Sequence, residues 1–176
     1  MQDGMTDLET TLSGRIHIDD VYRLALMEKP EALLSLLRSP DKHTADNAAW
    51  VLTHLPHEKM VILRQYQQEL IDEAMETTST TKRRLIMTLL EKQPFNEDTI
   101  RTDFLDFCLA QIIDVEVPVG IRSLAVKLSY AQCRYYPELM SELKATLELM
   151  GQGPLSPGAR SIRKRVLKEL DKAHLK

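Results

Sequence analysis

One pattern of apolar residues occurs in four copies along this chain, spaced by 37 to 39 residues. The clearest copy is Val-Pro-Val-Gly-Ile-Arg-Ser-Leu-Ala-Val-Lys-Leu, at 117–128. The first residues of the four copies are Asp46, Arg83, Arg122 and Arg160. In each copy, apolar residues stand two, three and six positions after the first residue. The one exception is in the last copy, where Arg163 stands three positions after Arg160. A repeat of this length predicts an array of similar units, each of which buries its apolar face against its neighbours.

The composition indicates that these units are helical. Of the 176 residues, 43% are hydrophobic, which suffices for one domain with a continuous core. Aromatic residues make up only 5%, whereas the chain is rich in Leu, Ala, Met, Glu, Lys, Arg and Gln, which lose little side-chain freedom in a helix. The eight prolines fall where apolar periods stop or start, as expected of residues that separate helices. The sequence therefore predicts an all-α fold.

The apolar spacing predicts four helical hairpins and one terminal helix. Two short helices begin at Asp19 and Pro30, and the others span 41–55, 57–76, 79–92, 96–114, 118–131, 137–150 and 157–172. Asn96 is the expected N-cap of its helix, and Gly151 and Gly153 are expected to end theirs in the left-handed conformation. We expect residues 1–18 to be a loosely ordered segment, because they show no regular period, and residues 19–176 to form a single domain.

These features resemble HEAT repeats over 30–170. The resemblance rests on the spacing of about 38 residues, the small residues in the first helix of each pair, the prolines beside the helices, the basic residues Arg83, Arg122 and Arg160, and an acidic residue, Asp114, ahead of Arg122. It implies a right-handed α-α superhelix with a C-terminal capping helix, in which the second helices line the concave side. From the charges and motifs considered next, we predict that this solenoid is a scaffold for protein interactions. Asp46 and Arg163 depart from the pattern, and Arg163 indicates a terminal cap with one face in water.

The charges divide between the two helices of each pair. The helices 57–76, 96–114 and 137–150 hold thirteen acidic and four basic residues, whereas the first helices from residue 79 onward are net positive. The sequence thus predicts an acidic concave face that binds a basic or amphipathic segment of another protein. The alternative is that the opposite charges only pair along their borders and bind nothing. The predicted protein-binding residues are Glu69, Glu73, Asp103, Asp106, Glu142 and Glu148.

A second binding hypothesis concerns the last helix. Arg160, Lys164, Lys168 and Lys172 are four residues apart and form one basic stripe, which predicts an anion-binding site suited to the phosphates of a nucleic acid. A net charge of −3 and a pI near 6.0 disfavour nucleic acid as the main partner, as does the lack of an aromatic platform on the stripe.

The sequence contains no catalytic or cofactor motif that we recognise. The five histidines form no His-Glu-x-x-His pair, and no Gly-x-Ser-x-Gly or phosphate-binding glycine loop is present. A small all-α enzyme stays open as an alternative, although the Ser-Ser-x-Met-Pro-x-Lys-x-Asn loop of helical lyases is absent. We therefore predict a binding protein that is not an enzyme and needs no metal or cofactor.

The remaining expectations concern location and assembly. Cys108 and Cys133 each fall inside a predicted helix, which is typical of reduced core thiols. No apolar run is long enough for a signal peptide or membrane span, so we expect a cytoplasmic protein that contacts no membrane. The oligomeric state stays open, and the apolar first hairpin is a candidate dimer surface.

Overall fold

The computed structural model describes residues 4–173, and every regular element in that range is helical. The helices are α1 (Asp7–Ser13), α2 (Ile18–Met27), α3 (Pro30–Ser35), α4 (Lys42–Leu52), α5 (His57–Leu63), α6 (Gln67–Glu76), α7 (Thr80–Glu91), α8 (Thr102–Ile113), α9 (Val119–Cys133), α10 (Pro137–Met150) and α11 (Pro157–Ala173). Short 3-10 turns occupy Leu36–Arg38, Arg64–Tyr66 and Glu97–Thr99. The predicted all-α class is confirmed.

The chain divides into two compact units, Met1–Leu90 and Glu91–Lys176, each of which is described by itself. In the first unit α4 lies at the centre and packs against α1, α2 and α3, while α3 also packs against α5. The repeat residues Ala48, Ala49 and Leu52 are fully buried in α4. Two alanines let the neighbouring helices approach closely, and burial of the apolar face supplies the main driving force for packing.

A single domain over 19–176 stays a prediction.

The second unit has two layers of helices. The first helices α9 and α11 pack against each other, as do the second helices α8 and α10. The layers meet where α9 packs on α8 and α10, and where α10 packs on α11. Ala125 and Leu128 of the repeat pattern are fully buried, and so is Phe104 of α8. This is the arrangement that stacked helical hairpins produce.

Before Asp19, where we expected no regular element, the structure has helix α1. Thr6 caps it, because its hydroxyl accepts from the Glu9 amide at 3.2 Å and the Glu9 carboxylate accepts from the Thr6 amide at 2.8 Å. Leu12 is fully buried. From α4, the Asn47 side chain donates to the carbonyls of Leu12 and Gly14, at 2.8 and 3.1 Å. These bonds hold the end of α1 against α4 within the first unit.

Two predicted helices have different bounds in the structure. The span 57–76 is divided into α5 and α6 by the 3-10 turn Arg64–Tyr66. The helix expected from Asn96 starts only at Thr102, because Asn96 caps the 3-10 turn Glu97–Thr99 instead. Just before that turn, Phe95 is 2% exposed, and its carbonyl accepts the hydroxyl proton of Tyr135. The buried ring anchors the connection and delays the helix start.

The predicted left-handed glycines after α10 are wrong. Gly151 has φ −70° and ψ −12°, so the chain leaves α10 in right-handed geometry, and no glycine with positive φ occurs in the part of the chain described. A side chain at position 151 would collide with the guanidinium of Arg163. Glycine at position 151 therefore allows the close approach of Arg163, and its backbone freedom is not used here.

Candidate functional sites

The basic residues of the repeat bind helix ends inside each unit. Arg83 donates to the carbonyls of Ala74 and Thr77 at the end of α6, at 2.9 and 2.6 Å. In the second unit Arg122, 7% exposed, donates to the Ile112 carbonyl of α8 at 2.9 Å. The last carbonyls of a helix lack partners within the helix and carry partial negative charge, which a cation satisfies. These arginines therefore stabilise the fold and are not directed at a partner.

Arg163 has this role in the last copy, where the sequence pattern pointed to Arg160. Its Nε donates to the Leu147 carbonyl of α10 at 2.6 Å, and the side chain is half-buried. Arg160 is exposed. Arg163 reaches α10 from the position that Ala49 and Ala125 occupy in other copies, because no further helix packs there within the described residues.

Two acidic residues of the repeats, Asp46 and Asp114, also have local partners. Asp46 accepts from the Ser79 hydroxyl at 2.7 Å, just before α7, and from Lys42 at 3.0 Å. The Asp114 carboxylate accepts from the Glu116 amide at 2.9 Å, while Arg122 bonds the Ile112 carbonyl. The charged positions of the repeat thus hold turns and helix ends together.

A groove of about 450 Å³ lies in the first unit, between the second helices α3 and α6. Its apolar lining is made by Leu34, Leu37, Tyr66 and Leu70. Its charged residues are Glu31, Glu69, Glu73 and Arg38. Glu31 and Glu69 are exposed, and no basic residue in 4–173 lies within 4 Å of either carboxylate. The groove therefore combines an apolar floor with two unpaired negative charges.

Glu73, which the sequence assigned to the acidic surface, is 7% exposed and already occupied. Its Oε1 accepts from Lys82 Nζ at 2.7 Å, and its Oε2 accepts from Arg38 Nε at 2.8 Å. Lys82 Nζ also donates to the Leu37 carbonyl at 2.7 Å. Glu73 therefore lines the groove with its charge compensated by two cations, and it supplies no free charge to a partner.

The other predicted acids lie in the second unit and are exposed. Asp103 is paired with Arg101, with 2.6 Å between Nη2 and Oδ2, and this bond lowers the pKa of the Asp103 carboxyl. Asp106 is on the same helix, α8, and Glu142 and Glu148 are on α10. All four lie on second helices, as the sequence predicted, and a role for them in binding stays a prediction.

The predicted anion-binding stripe is exposed along α11. Arg160, Lys164 and Lys168 have no carboxylate within 4 Å among residues 4–173, while Lys172 pairs with Glu169 at 3.0 Å. On the opposite side of α11, Ile162, Val166 and Leu170 are buried, where this helix packs on α9 and α10. Three uncompensated cations therefore face solvent on one side of the helix.

Both cysteines and one histidine, His54, are engaged in packing or local contacts. Cys108 and Cys133 are free and buried, and burial raises the pKa of both thiols, that of Cys133 to about 12. A thiol with so high a pKa is not a nucleophile at neutral pH. His54 Nδ1 lies 3.1 Å from the Trp50 carbonyl, and its ring meets Tyr22 edge to face. Within 4–173 no cluster of three His, Cys, Asp or Glu side chains is arranged to hold a metal.

Comparison with known proteins gives one finding. The family model described as HEAT repeat domain matches residues 8–170. No curated protein and no solved structure gave a match. None of the helices in 4–173 has both the length and the apolar character needed to cross a membrane. HEAT repeats generally serve as protein-interaction scaffolds and are typically non-catalytic. With a match over nearly the whole length, and with helical pairs stacked in two layers in the second unit, the chain belongs to the HEAT repeat domain family.

Proposed function

We propose that this protein is a non-catalytic scaffold that holds a basic, amphipathic segment of another protein in the groove between α3 and α6. The observation that carries the proposal is the position of Glu31 and Glu69, two unpaired carboxylates beside an apolar floor. Leu34 and Tyr66, both half-buried, offer an apolar surface to the partner, and the two acids select a positively charged partner. Arg38 and Lys82 are already bound to Glu73. The cations that pair with Glu31 and Glu69 would therefore come from the partner segment.

The acids of the second unit extend this proposal. Asp106, Glu142 and Glu148 are exposed on second helices, so we assign them to an acidic surface of the same kind. Asp103 contributes less, because Arg101 already neutralises it. Exposed charges at such a surface act mainly on the rate and specificity of association. A cytoplasmic location, expected from the sequence, stays a prediction.

The experiment compares two double charge reversals. Glu31→Lys with Glu69→Lys changes the groove, while Glu58→Lys with Glu116→Lys makes the same change in net charge at exposed acids outside it. The probe is a fluorescein-labelled amphipathic peptide of Lys and Leu, and a peptide with Glu in place of Lys is its control. We expect the groove variant to bind the basic peptide at least about ten-fold more weakly, and the control variant to bind it normally.

The same variants test a natural partner. Proteins captured from the native cell by the wild type and by the control variant, but lost with the groove variant, support the proposal. Equal capture by all three, together with equal peptide affinity, would refute it. Circular dichroism of each variant establishes that the helices are intact before binding is compared.

A second candidate function is phosphate binding by α11. It is favoured by one observation, the exposure of Arg160, Lys164 and Lys168 without carboxylate partners. If four cations including Lys172 contact duplex DNA, the affinity should fall about a hundred-fold between 50 and 200 mM salt. Gel-shift titration of the wild type and of the triple change to Gln tests this. Absence of any shift at 50 mM salt would remove the nucleic-acid hypothesis.

A further inference from the structure

A second pocket lies in the unit Glu91–Lys176 and is separate from the groove of the proposed function. It is formed by residues of α9 and α11 with the connection after α7, and its volume is about 360 Å³. Pockets that hold small molecules have volumes of roughly 300 to 1,000 Å³, so its size suits a compact ligand. Phe95, Leu128 and Val166 are buried beneath it, and Tyr130 and Ala131 are half-buried at its walls.

Four charged residues surround this apolar pocket: Glu91, Lys127, Arg165 and Glu169. Lys127 Nζ lies 3.7 Å from a Glu91 oxygen, and Glu169 accepts from Lys172 at 3.0 Å. Arg165 is exposed, and the described part of the chain gives it no carboxylate within 4 Å. One positive charge at the rim is therefore left uncompensated.

We propose that this pocket is a binding site for a small amphipathic anion, meaning a molecule with an apolar ring or chain and a single anionic group. The apolar body would cover Tyr130 and Ala131 at the walls of the pocket, and removing their apolar surface from water is favourable in proportion to the area covered. The anionic group would accept hydrogen bonds from the Arg165 guanidinium, whose planar donors suit a carboxylate. The apolar walls supply affinity, and Arg165 supplies the preference for a negative charge.

Two fluorescent probes with the same ring system test the site. 8-Anilinonaphthalene-1-sulfonate carries the anionic group, and N-phenyl-1-naphthylamine lacks it. We expect Arg165→Gln to weaken binding of the anionic probe about five-fold and to leave binding of the neutral probe unchanged, because a charged contact at an open rim contributes modestly. Arg84→Gln, at an exposed arginine of α7 that lines neither the pocket nor the groove, is the matched control and should change neither probe.

A second variant tests the apolar part of the site. Ala131→Phe should fill the pocket and abolish binding of both probes, while circular dichroism and thermal unfolding show that the fold is retained. Equal affinity of Arg165→Gln for the anionic probe, or retained binding of both probes by a folded Ala131→Phe variant, would overturn the proposal. These outcomes do not depend on the groove between α3 and α6, so the two proposals fail separately.

Discussion

The ion pair between Lys82 and Glu73 is a buried charged contact of the first unit. Both residues are under 10% exposed, and their charged atoms are 2.7 Å apart. Removing one member of a buried pair leaves a charge without its partner in a poorly solvated place, and this typically destabilises a protein by about 3 to 5 kcal/mol. Here Arg38, which is mostly exposed, still faces Glu73 and would compensate part of the loss.

We predict that Lys82→Met lowers the free energy of unfolding by about 3 kcal/mol. Lys82→Met with Glu73→Leu should recover much of this loss, since no charge is then left buried. The matched control is Lys42→Met, which breaks the Lys42–Asp46 pair on an exposed lysine and should change the stability by about 0.5 kcal/mol. Urea unfolding measures all three. A double variant no more stable than Lys82→Met would contradict this explanation.

Gly151 and Arg163 form a second coupled pair. A Cβ at position 151 would displace the Arg163 guanidinium and with it the bond to the Leu147 carbonyl. We predict that Gly151→Ala costs about 1 kcal/mol in the wild type. In an Arg163→Ala background the same change should be neutral or stabilising, because alanine then only restricts the unfolded chain. Thermal unfolding of the four proteins in the cycle shows whether the sign changes; additive effects would exclude the coupling.

Residue-scale roles were the hardest to predict from the sequence. Periodicity placed Glu73 and Glu69 on the same type of helix and gave them the same role, but only Glu69 is free to meet a partner. The cations that occupy Glu73 come from positions 9 and 35 residues away, Lys82 and Arg38, which no local pattern connects. Similarly, the repeat pattern predicted that Arg160 is the basic residue of the last copy. In the structure Arg163 is the residue that bonds the end of α10, and Arg160 is exposed.

At the scale of elements, the sequence predicted most helices correctly because their signals are local. Prolines, apolar periods and end residues located α2, α3, α4, α7 and α9 to α11 within a few residues. Helix α1 was missed although Thr6 and Glu9 have the spacing of a capping box, because a helix of seven residues with two leucines, Leu8 and Leu12, is too short to show a clear apolar period. The late start of α8 depends on the buried Phe95, a tertiary contact without a sequence signal.

Helix α4 offers a test of end capping by pH. Asp41 accepts from the hydroxyl and the amide of Thr44, at 2.6 and 2.8 Å, and these bonds lower the pKa of its carboxyl. A lowered pKa means that the unfolded chain binds the proton more tightly, so the contribution to stability is present above the usual value of 3.8 and is lost as the pH falls through the folded pKa.

We therefore predict that the wild type is more stable than Asp41→Asn at pH 6, and that the difference disappears at acid pH, where both caps are neutral. Thermal unfolding at a series of pH values measures it. Asp7→Asn, at an exposed acid of α1 with no cap bond, is the control for a general charge effect. A constant difference at every pH would show that Asp41 acts through shape and not through charge.

At the scale of the whole molecule, the two compact units carry different natural probes. Trp50, the single tryptophan, lies in the first unit, and both cysteines, Cys108 and Cys133, lie in the second. Buried thiols with raised pKa react only when the surrounding helices open. The two units can thus be followed separately in one sample, by fluorescence and by alkylation.

We predict that neither thiol reacts with iodoacetamide at pH 7 in the native protein and that both react in concentrated urea. Lys82→Met should shift the Trp50 fluorescence transition to lower urea, because Lys82 and Trp50 belong to the same unit. Mass spectrometry counts the labelled cysteines. Rapid labelling of Cys108 in the native state would contradict the packing of α8 described above.

The cations that bind helix ends have one more consequence. Arg83, Arg122 and Arg163 donate to main-chain oxygens, and every amino acid carries the same oxygen. These hydrogen bonds do not depend on the side chain of the residue that supplies the carbonyl. A mutation at Ala74, Ile112 or Leu147 therefore leaves the acceptor oxygen in place. Each of these hydrogen bonds requires a particular side chain on one helix only, the one that carries the arginine. The sequence of the helix that supplies the carbonyl can therefore change without loss of the bond.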